Sequence, residues 1–256
     1  MKLSPLSLAS GLLLLCLCTY FFFEIVAPDI KQSNVSKAKD LDVTGFENLL
    51  QAATTKLSTV QKAELDQILQ NDKTSEPESE KLKSLSGFWF NAGRADLAGA
   101  YALQVAEVEK TAEAWSIAGS TFLEGLDQLT QEKELLYCRQ NAVKAFQNAI
   151  SLAPKEPRFR LLLALVDVKS PGENPMAGIQ ALLGLEKEYP DYAPIQYTLT
   201  RLAMQTGQWE KAKNRLNRFL EKKSDDREAN CLMIQLIEQA KWSDDVSEYK
   251  KHCTKE

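Results

Sequence analysis

Apolar residues recur at every third or fourth position along most of the chain, and this spacing places them on one face of an α-helix. Runs in which Val, Ile and Thr alternate with polar residues, as in a β-strand, do not occur in the sequence. From about residue 78 to residue 253 the helical stretches come in pairs, separated by short polar or Pro-containing segments. The pattern predicts an all-α protein built from successive helix pairs.

Two further helices are predicted ahead of the pairs. Thr44 followed by Glu47 matches a capping box for a helix that begins at Gly45. Ser58 is placed to cap a second helix, and a loop rich in Asp, Ser and Pro follows it. We therefore assign residues 44–77 to lead-in helices.

Small and large apolar residues follow a fixed order within the helix pairs. In one pair the positions that we expect to pack are filled by Trp115, Gly119, Phe122, Ala142, Phe146 and Ala149, with Pro154 at the end. A second copy fits a frame of about 34 residues without gaps and shows a similar order at Tyr197, Leu199, Gly207, Ala212, Leu216 and Phe219.

These residues resemble the tetratricopeptide repeat family, whose pattern is W-x2-L-G-x2-Y, then A-x3-F, then Pro. The resemblance covers residues 78–253. It implies a right-handed superhelical solenoid of helical hairpins, in which the first helix of each hairpin lines a concave groove for a protein or peptide. No catalytic, cofactor-binding or metal-binding residues come with the family.

The second pair departs from the family pattern in its length. Trp115 and Ala142 lie 27 positions apart, against about 16 in the standard repeat. We expect a first helix over residues 112–124 and a second helix over residues 134–152. The additional residues either extend the tip of the hairpin or lengthen its helices.

The N-terminal part of the chain reads as a membrane segment. Residues 3–23 carry no charge, and as a helix they are long enough to cross about 30 Å of hydrocarbon. Residues 25–27, directly before Pro28, make a poor cleavage site for a signal peptide. We therefore predict an uncleaved transmembrane anchor in residues 1–27, in preference to a cleaved signal peptide or a lipoprotein. A juxtamembrane linker follows in residues 28–43.

The sequence gives opposing indications about the side of the membrane on which the repeats lie. Lys31, Lys37 and Lys39 follow the apolar run and argue against export, but large domains are exported largely regardless of nearby charge. The order of parts also resembles a group of bacterial tetratricopeptide repeat proteins with one N-terminal anchor. We expect a single span in a bacterial inner membrane with a periplasmic repeat domain, and a cytoplasmic domain remains the alternative.

The amino-acid composition argues against several classes of function. The 256-residue chain has 31 Lys and Arg against 35 Asp and Glu, so its net charge of -4 gives no electrostatic basis for nucleic-acid binding. Its five cysteines form no C-x-x-C motif, and its one histidine is His252. A zinc site or a catalytic pair with histidine is therefore not expected, and we predict no cofactor and no enzymatic activity.

Two of the cysteines fall in the last helix pair. Cys231 lies on its first helix, and Cys253 lies on a shorter helix that we expect to start at Ser243. In an antiparallel hairpin these positions come to similar heights. The sequence leaves open whether they form a disulfide, as an oxidising compartment would favour, or remain free thiols.

The family template also indicates groove-lining positions on the first helices. The positions that we select as the candidate protein-binding groove are Arg158, Leu161, Leu165, Tyr197, Arg201, Gln205 and Gln235. The alternative is that these residues are merely solvated side chains on the inner face.

One helix is strongly basic, with the sequence KAKNRLNRFLEKK. It could form a patch for anionic lipid or an acidic partner, but an ordinary exposed helix face is the interpretation that we favour.

The function implied by the resemblance is that of a membrane-anchored scaffold, which holds a protein partner in its groove at the cell envelope. One alternative is a subunit of a cytochrome c assembly or other envelope-biogenesis complex, by analogy of fold alone. Another alternative is an enzyme with a pocket in the groove, against which the shortage of histidine argues.

Overall fold

The structure, a computed structural model, describes residues 33–70 and 78–254, with side chains from residue 45 onward. All twelve regular elements in this part of the chain are α-helices, which confirms the predicted all-α class. The chain divides into two units between Asn48 and Leu49. The described part of the first unit is the beginning of helix α1, and the second unit contains all later helices.

Helix α1 spans Ser33–Lys56 and begins earlier than predicted. Thr44 lies inside the helix and does not cap a helix starting at Gly45, so that prediction is wrong. Residues 33–42 contain neither Pro nor Gly, and nothing in them interrupts the helical backbone. Helix therefore occupies much of the segment that the sequence pattern assigned to a linker.

Helix α2 spans Thr59–Gln70 and begins as predicted. The backbone N–H of Gln61 donates to Ser58 Oγ at 3.2 Å, and the N–H of Ser58 donates to Gln61 Oε1 at 3.0 Å. This reciprocal pair of bonds is a capping box.

The anchor predicted in residues 1–27 lies outside the described residues. Among the helices of residues 33–70 and 78–254, none has the length and apolar character needed to span a bilayer.

The remaining ten helices form five pairs, each with a first and a second helix. Helices that are consecutive in sequence pack against each other, and two combinations of first helices also touch, α5 with α7 and α9 with α11. The pairs are α3 (Glu78–Asn91) with α4 (Ala95–Glu109), α5 (Ala112–Gln128) with α6 (Glu132–Leu152), α7 (Pro157–Lys169) with α8 (Ala177–Glu188), α9 (Ala193–Gln205) with α10 (Trp209–Leu220), and α11 (Arg227–Gln239) with α12 (Ser247–Cys253).

Three of the first helices end in the same backbone turn. Gly93, Gly207 and Lys241 follow α3, α9 and α11 with φ of 73°, 69° and 57°. In each turn the next N–H bonds back to the carbonyl five residues earlier, which closes the helix end in the Schellman manner. The same turn therefore closes the first helix in three of the five pairs.

Aromatic rings that lie on glycines join helices α4, α5 and α6. A Cβ added to Gly119 of α5 would lie 2.7 Å from the Phe146 ring of α6. Between the first and second pairs, a Cβ on Gly99 of α4 would lie 2.6 Å from the Phe122 ring of α5. Both rings are fully buried, so only glycine lets the helices approach this closely.

The third pair keeps this size pattern with aliphatic residues. A Cβ on Gly178 of α8 would lie 2.7 Å from the Ala164 carbonyl oxygen and from the Val168 side chain of α7. Leu182 and Leu185, which take the places of the aromatic and small residues, are both buried. The aliphatic residues therefore fill these positions without loss of burial.

The additional residues of the second pair lengthen its helices. Helix α5 has 17 residues and α6 has 21, and only residues 129–131 separate them. The lengthened part packs closely, since a Cβ on Gly125 would lie 2.7 Å from Cys138 Sγ. Burial raises the pKa of the Cys138 thiol, which disfavours the reactive thiolate.

A buried ion network fastens the lengthened helix α6 to α4. Arg94 Nη2 lies 2.5 Å from Asp96 Oδ2 and 3.3 Å from Glu134 Oε1, and Asp96 is fully buried. The hydrogen bond to Asp96 raises the pKa of Arg94. Each buried carboxylate therefore has a cationic partner, as burial of a charge requires.

The last pair is short and is closed by a disulfide. Cys231 of α11 is bonded to Cys253 of α12, with the two Cα atoms 4.9 Å apart. Helix α12 begins at Ser247, so the predicted start at Ser243 is wrong. Directly before the helix, the Ser247 N–H donates to Asp245 Oδ1 at 2.9 Å.

We expect reduction of this disulfide to release α12 while leaving the earlier pairs folded. Helix α12 has seven residues and none of them is buried, so a cross-link worth about 3 kcal/mol is a large share of its local stability. Hydrogen-exchange mass spectrometry with and without reductant should show faster exchange in α12 alone. In the Cys253→Ser variant, which cannot form the disulfide, reductant should not change the hydrogen exchange of α12. Unchanged protection of α12 after reduction would contradict this expectation.

Candidate protein-binding groove

An open cleft of about 600 Å³ lies on the face formed by the first helices. It follows α5 along its length, with the end of α3 on one side and α7 with the start of α9 on the other. The cleft exists because α5 and α7 lie side by side, each backed by the second helix of its own pair.

The lining of the cleft is largely apolar and accessible. Phe90 of α3 is 45% exposed and Ile117 of α5 is 55% exposed, and Leu162 and Pro194 add to the same surface. Ile117 also borders a smaller cavity of about 240 Å³ against α4. A partner side chain placed here would remove both large residues from water.

Polar groups in the cleft are mostly engaged within the protein. Ser116 is buried, and the Thr121 hydroxyl donates to the Ile117 carbonyl oxygen of its own helix at 2.9 Å. Arg158 Nη2 of α7 lies 2.5 Å from Glu113 Oε2 of α5, and hydrogen bonding to this carboxylate raises the pKa of Arg158. This ion pair bridges neighbouring repeats at one end of the cleft.

Two of the seven residues predicted for the groove line this cleft. Arg158 contributes its paired guanidinium. Leu161 is only 5% exposed and belongs to a core cluster with Leu182 and Leu185, so it forms the floor of the cleft. Leu165, one turn further along α7, is half-buried and is not among the lining residues.

Tyr197 lies between the fourth and fifth pairs and serves packing. Its hydroxyl donates to Asp226 Oδ1 at 2.5 Å, and its ring meets the Phe219 ring edge to face. Burial and the bond to Asp226 raise its pKa. Asp226 also accepts the Ala229 N–H at 2.9 Å and so caps α11.

The other predicted residues are exposed on the inner face beyond the cleft. Arg201 of α9 forms an ion pair with Glu228 of α11, which repeats the bridge seen between α7 and α5. Gln205 and Gln235 are exposed. The structure therefore does not gather the seven residues into one site.

Sequence reasoning missed Phe90, Ile117 and Glu124, three accessible side chains of the cleft. Ile117 carried a signal, because it is apolar but stands outside the helical spacing of the buried residues Ala118 and Phe122. The family template directs attention to other positions on the same helix.

Three of the six basic residues in and directly after helix α10 form ion pairs with carboxylates of neighbouring elements. Lys213 Nζ lies 2.6 Å from Asp244 Oδ1, and Lys222 Nζ lies 2.8 Å from Asp191 Oδ1. Arg215 Nε lies 2.8 Å from Glu186 Oε1, and this pair lines a second cleft of about 540 Å³ between α8 and α10. The contacts favour an ordinary exposed helix face over a patch for an anionic surface.

Comparison with known protein families identifies repeats in the same part of the chain. The sequence model of the tetratricopeptide repeat family matches residues 178–236, from α8 to most of α11. This part of the chain therefore carries tetratricopeptide repeats. Repeats of this family are scaffolds for protein–protein interaction, and that is the functional class of the chain.

Among solved structures, the chain is similar to one titled "Crystal structure of MamA protein". The two share 15% sequence identity with a TM-score of 0.41, and the match covers 68% of this chain and 89% of that one. No curated protein matches the sequence.

Proposed function

We propose that this protein is a membrane-anchored scaffold that holds a protein partner in the cleft along α5. The observation that carries the proposal is the presence of two accessible apolar side chains, Phe90 and Ile117, within one 600 Å³ cleft. Scattered exposed apolar residues are ordinary on protein surfaces, but apolar residues that share a concavity are typical of interaction sites.

Burial of these residues supplies a driving force for binding. Covering a large apolar side chain completely is worth about 1.5–3 kcal/mol, and about half of each of these two remains to be covered. Binding energy at protein interfaces is concentrated in such anchor contacts. The cleft therefore suits an apolar anchor residue of a partner.

The walls of the cleft are fixed before a partner arrives. Helix α5 packs against α7, and Gly119 under the Phe146 ring joins α5 to α6. A site whose elements are already positioned loses less conformational entropy on binding. This rigidity favours recognition of a segment by a preformed surface.

The cleft offers little for catalysis, and we propose that the protein is not an enzyme. Its carboxylates, Glu113 and Glu124, lie about 16 Å apart along α5. The one histidine of the sequence, His252, lies in α12, away from the hydroxyl groups of the cleft. No lining residue forms a nucleophile–base pair of the kind that acyl-transfer enzymes use.

The proposed location is the outer face of a bacterial inner membrane. The uncharged residues 3–23 support the anchor. The Cys231–Cys253 disulfide supports export of the repeats, because structural disulfides persist in oxidising compartments and are rare in the cytosol.

A photocrosslinking residue placed at position 117 of the full chain tests the scaffold function in intact cells. We expect a crosslinked product of discrete mass with another protein, because position 117 lies in the cleft. Leu152 at the end of α6 is 52% exposed, close to the 55% of Ile117, so the same probe at position 152 is a matched control. Identical products at both positions, or none at position 117, would contradict the proposal.

The anchor is tested separately by membrane extraction. We expect the mature chain to retain residues 1–27 and to stay in the membrane fraction in alkaline carbonate, because an apolar span of this length is held by the bilayer core. A variant that starts at Pro28 should be released into the soluble fraction. N-terminal sequencing of the native chain that begins near Pro28 would exclude the anchor.

A further inference from the structure

The charges along the cleft are unevenly compensated. At one end, Glu113 and Arg158 neutralise each other at 2.5 Å. Toward the other end, Glu124 is exposed and accepts one bond, from the Gln128 amide at 3.0 Å. Within residues 45–70 and 78–254, no Lys, Arg or His pairs with Glu124. The cleft is therefore left with one uncompensated negative charge.

An accessible aromatic ring accompanies this carboxylate in the cleft. Phe90 belongs to the last turn of α3, and Glu124 to the last turns of α5. In the described part of the chain, no cation lies over the Phe90 ring. A carboxylate and a free aromatic face attract the same ligand group, an ammonium or guanidinium.

Apolar surface fills the space between the two ends. Ile117 lies about 10 Å from Glu124 along the axis of α5, and Leu162 of α7 lines the same stretch. Consecutive residues of an extended peptide are about 3.3 Å apart along its backbone, so residues about three positions apart span this distance. A long Lys or Arg side chain lets closer residues reach both surfaces as well.

We propose that the cleft recognises a peptide segment that carries a basic residue close to an aliphatic residue. The basic side chain binds at Glu124 and Phe90, and the aliphatic side chain packs on Ile117 and Leu162. This inference rests on the proposed scaffold function and adds the chemistry of the partner. An acidic segment fits poorly, because the one guanidinium of the cleft, Arg158, is already paired with Glu113.

The test uses random nine-residue peptides displayed on phage and selected on the detergent-solubilised full chain. We expect Lys or Arg within three positions of Leu, Ile, Val or Met among the enriched peptides. Glu124→Lys should weaken the binding of a selected peptide by about tenfold or more, because it places like charges together. Phe90→Ala should weaken it by a smaller factor. Glu124→Gln, which keeps the side-chain size, guards against misfolding of the charge-reversed variant.

Glu210→Lys is the matched control, since it makes the same charge change at an exposed residue of α10 that does not line the cleft. It should leave peptide binding unchanged. Enriched peptides without basic residues, or equal losses at positions 124 and 210, would overturn the proposed specificity. The absence of any enriched peptide would overturn it too. Crosslinking at position 117 decides the scaffold function independently in each case.

Discussion

The contact between an aromatic ring and a glycine on the next helix is the constraint on which the rest of this structure depends. Phe122 lies on Gly99 and Phe146 lies on Gly119, so α4, α5 and α6 are joined in series by the same contact. Each ring is fully buried and each glycine leaves no room for a Cβ. Helices that approach through such a contact have one preferred separation and angle, because protein interiors are packed as densely as crystals. Helices α4, α5 and α6 therefore stack in one arrangement.

The cleft is a consequence of this stacking. Because the second helices back the first helices, α5 and α7 turn one face toward the protein interior and the other toward solvent. Ion pairs between first helices, Glu113 with Arg158 and Arg201 with Glu228, then fasten neighbouring repeats across the inner face. Exposed single ion pairs contribute little stability. Their main effect here is that they neutralise the charges of these four side chains. What remains accessible is apolar surface and the carboxylate of Glu124, and this residue set determines what the cleft can bind.

The sequence predicted the buried part of the fold better than the accessible part. Gly119 and Phe146 could be assigned because each must fit a fixed space, and such positions tolerate few residue types. Phe90 and Glu124 could not, since an exposed position accepts almost any side chain and its neighbours come from helices distant in sequence. The start of α1 at Ser33 was missed for a different reason: a polar segment without Pro or Gly is compatible with both helix and linker. The pairing of Cys231 with Cys253 depended on the direction of two side chains, which helix spacing alone does not fix.

A double-mutant cycle on Gly119 and Phe146 measures the central contact most directly. Gly119→Ala should lower the free energy of unfolding by about 1–3 kcal/mol, because the new methyl group would overlap the Phe146 ring. In the background of Phe146→Leu, which removes the ring, the same substitution should cost about 1 kcal/mol less or become neutral, as expected for residues in contact. Denaturant unfolding of the wild-type protein, the two single variants and the double variant gives the coupling free energy between residues 119 and 146. Strictly additive losses would show that ring and glycine do not constrain each other, and would contradict this account of how the repeats stack.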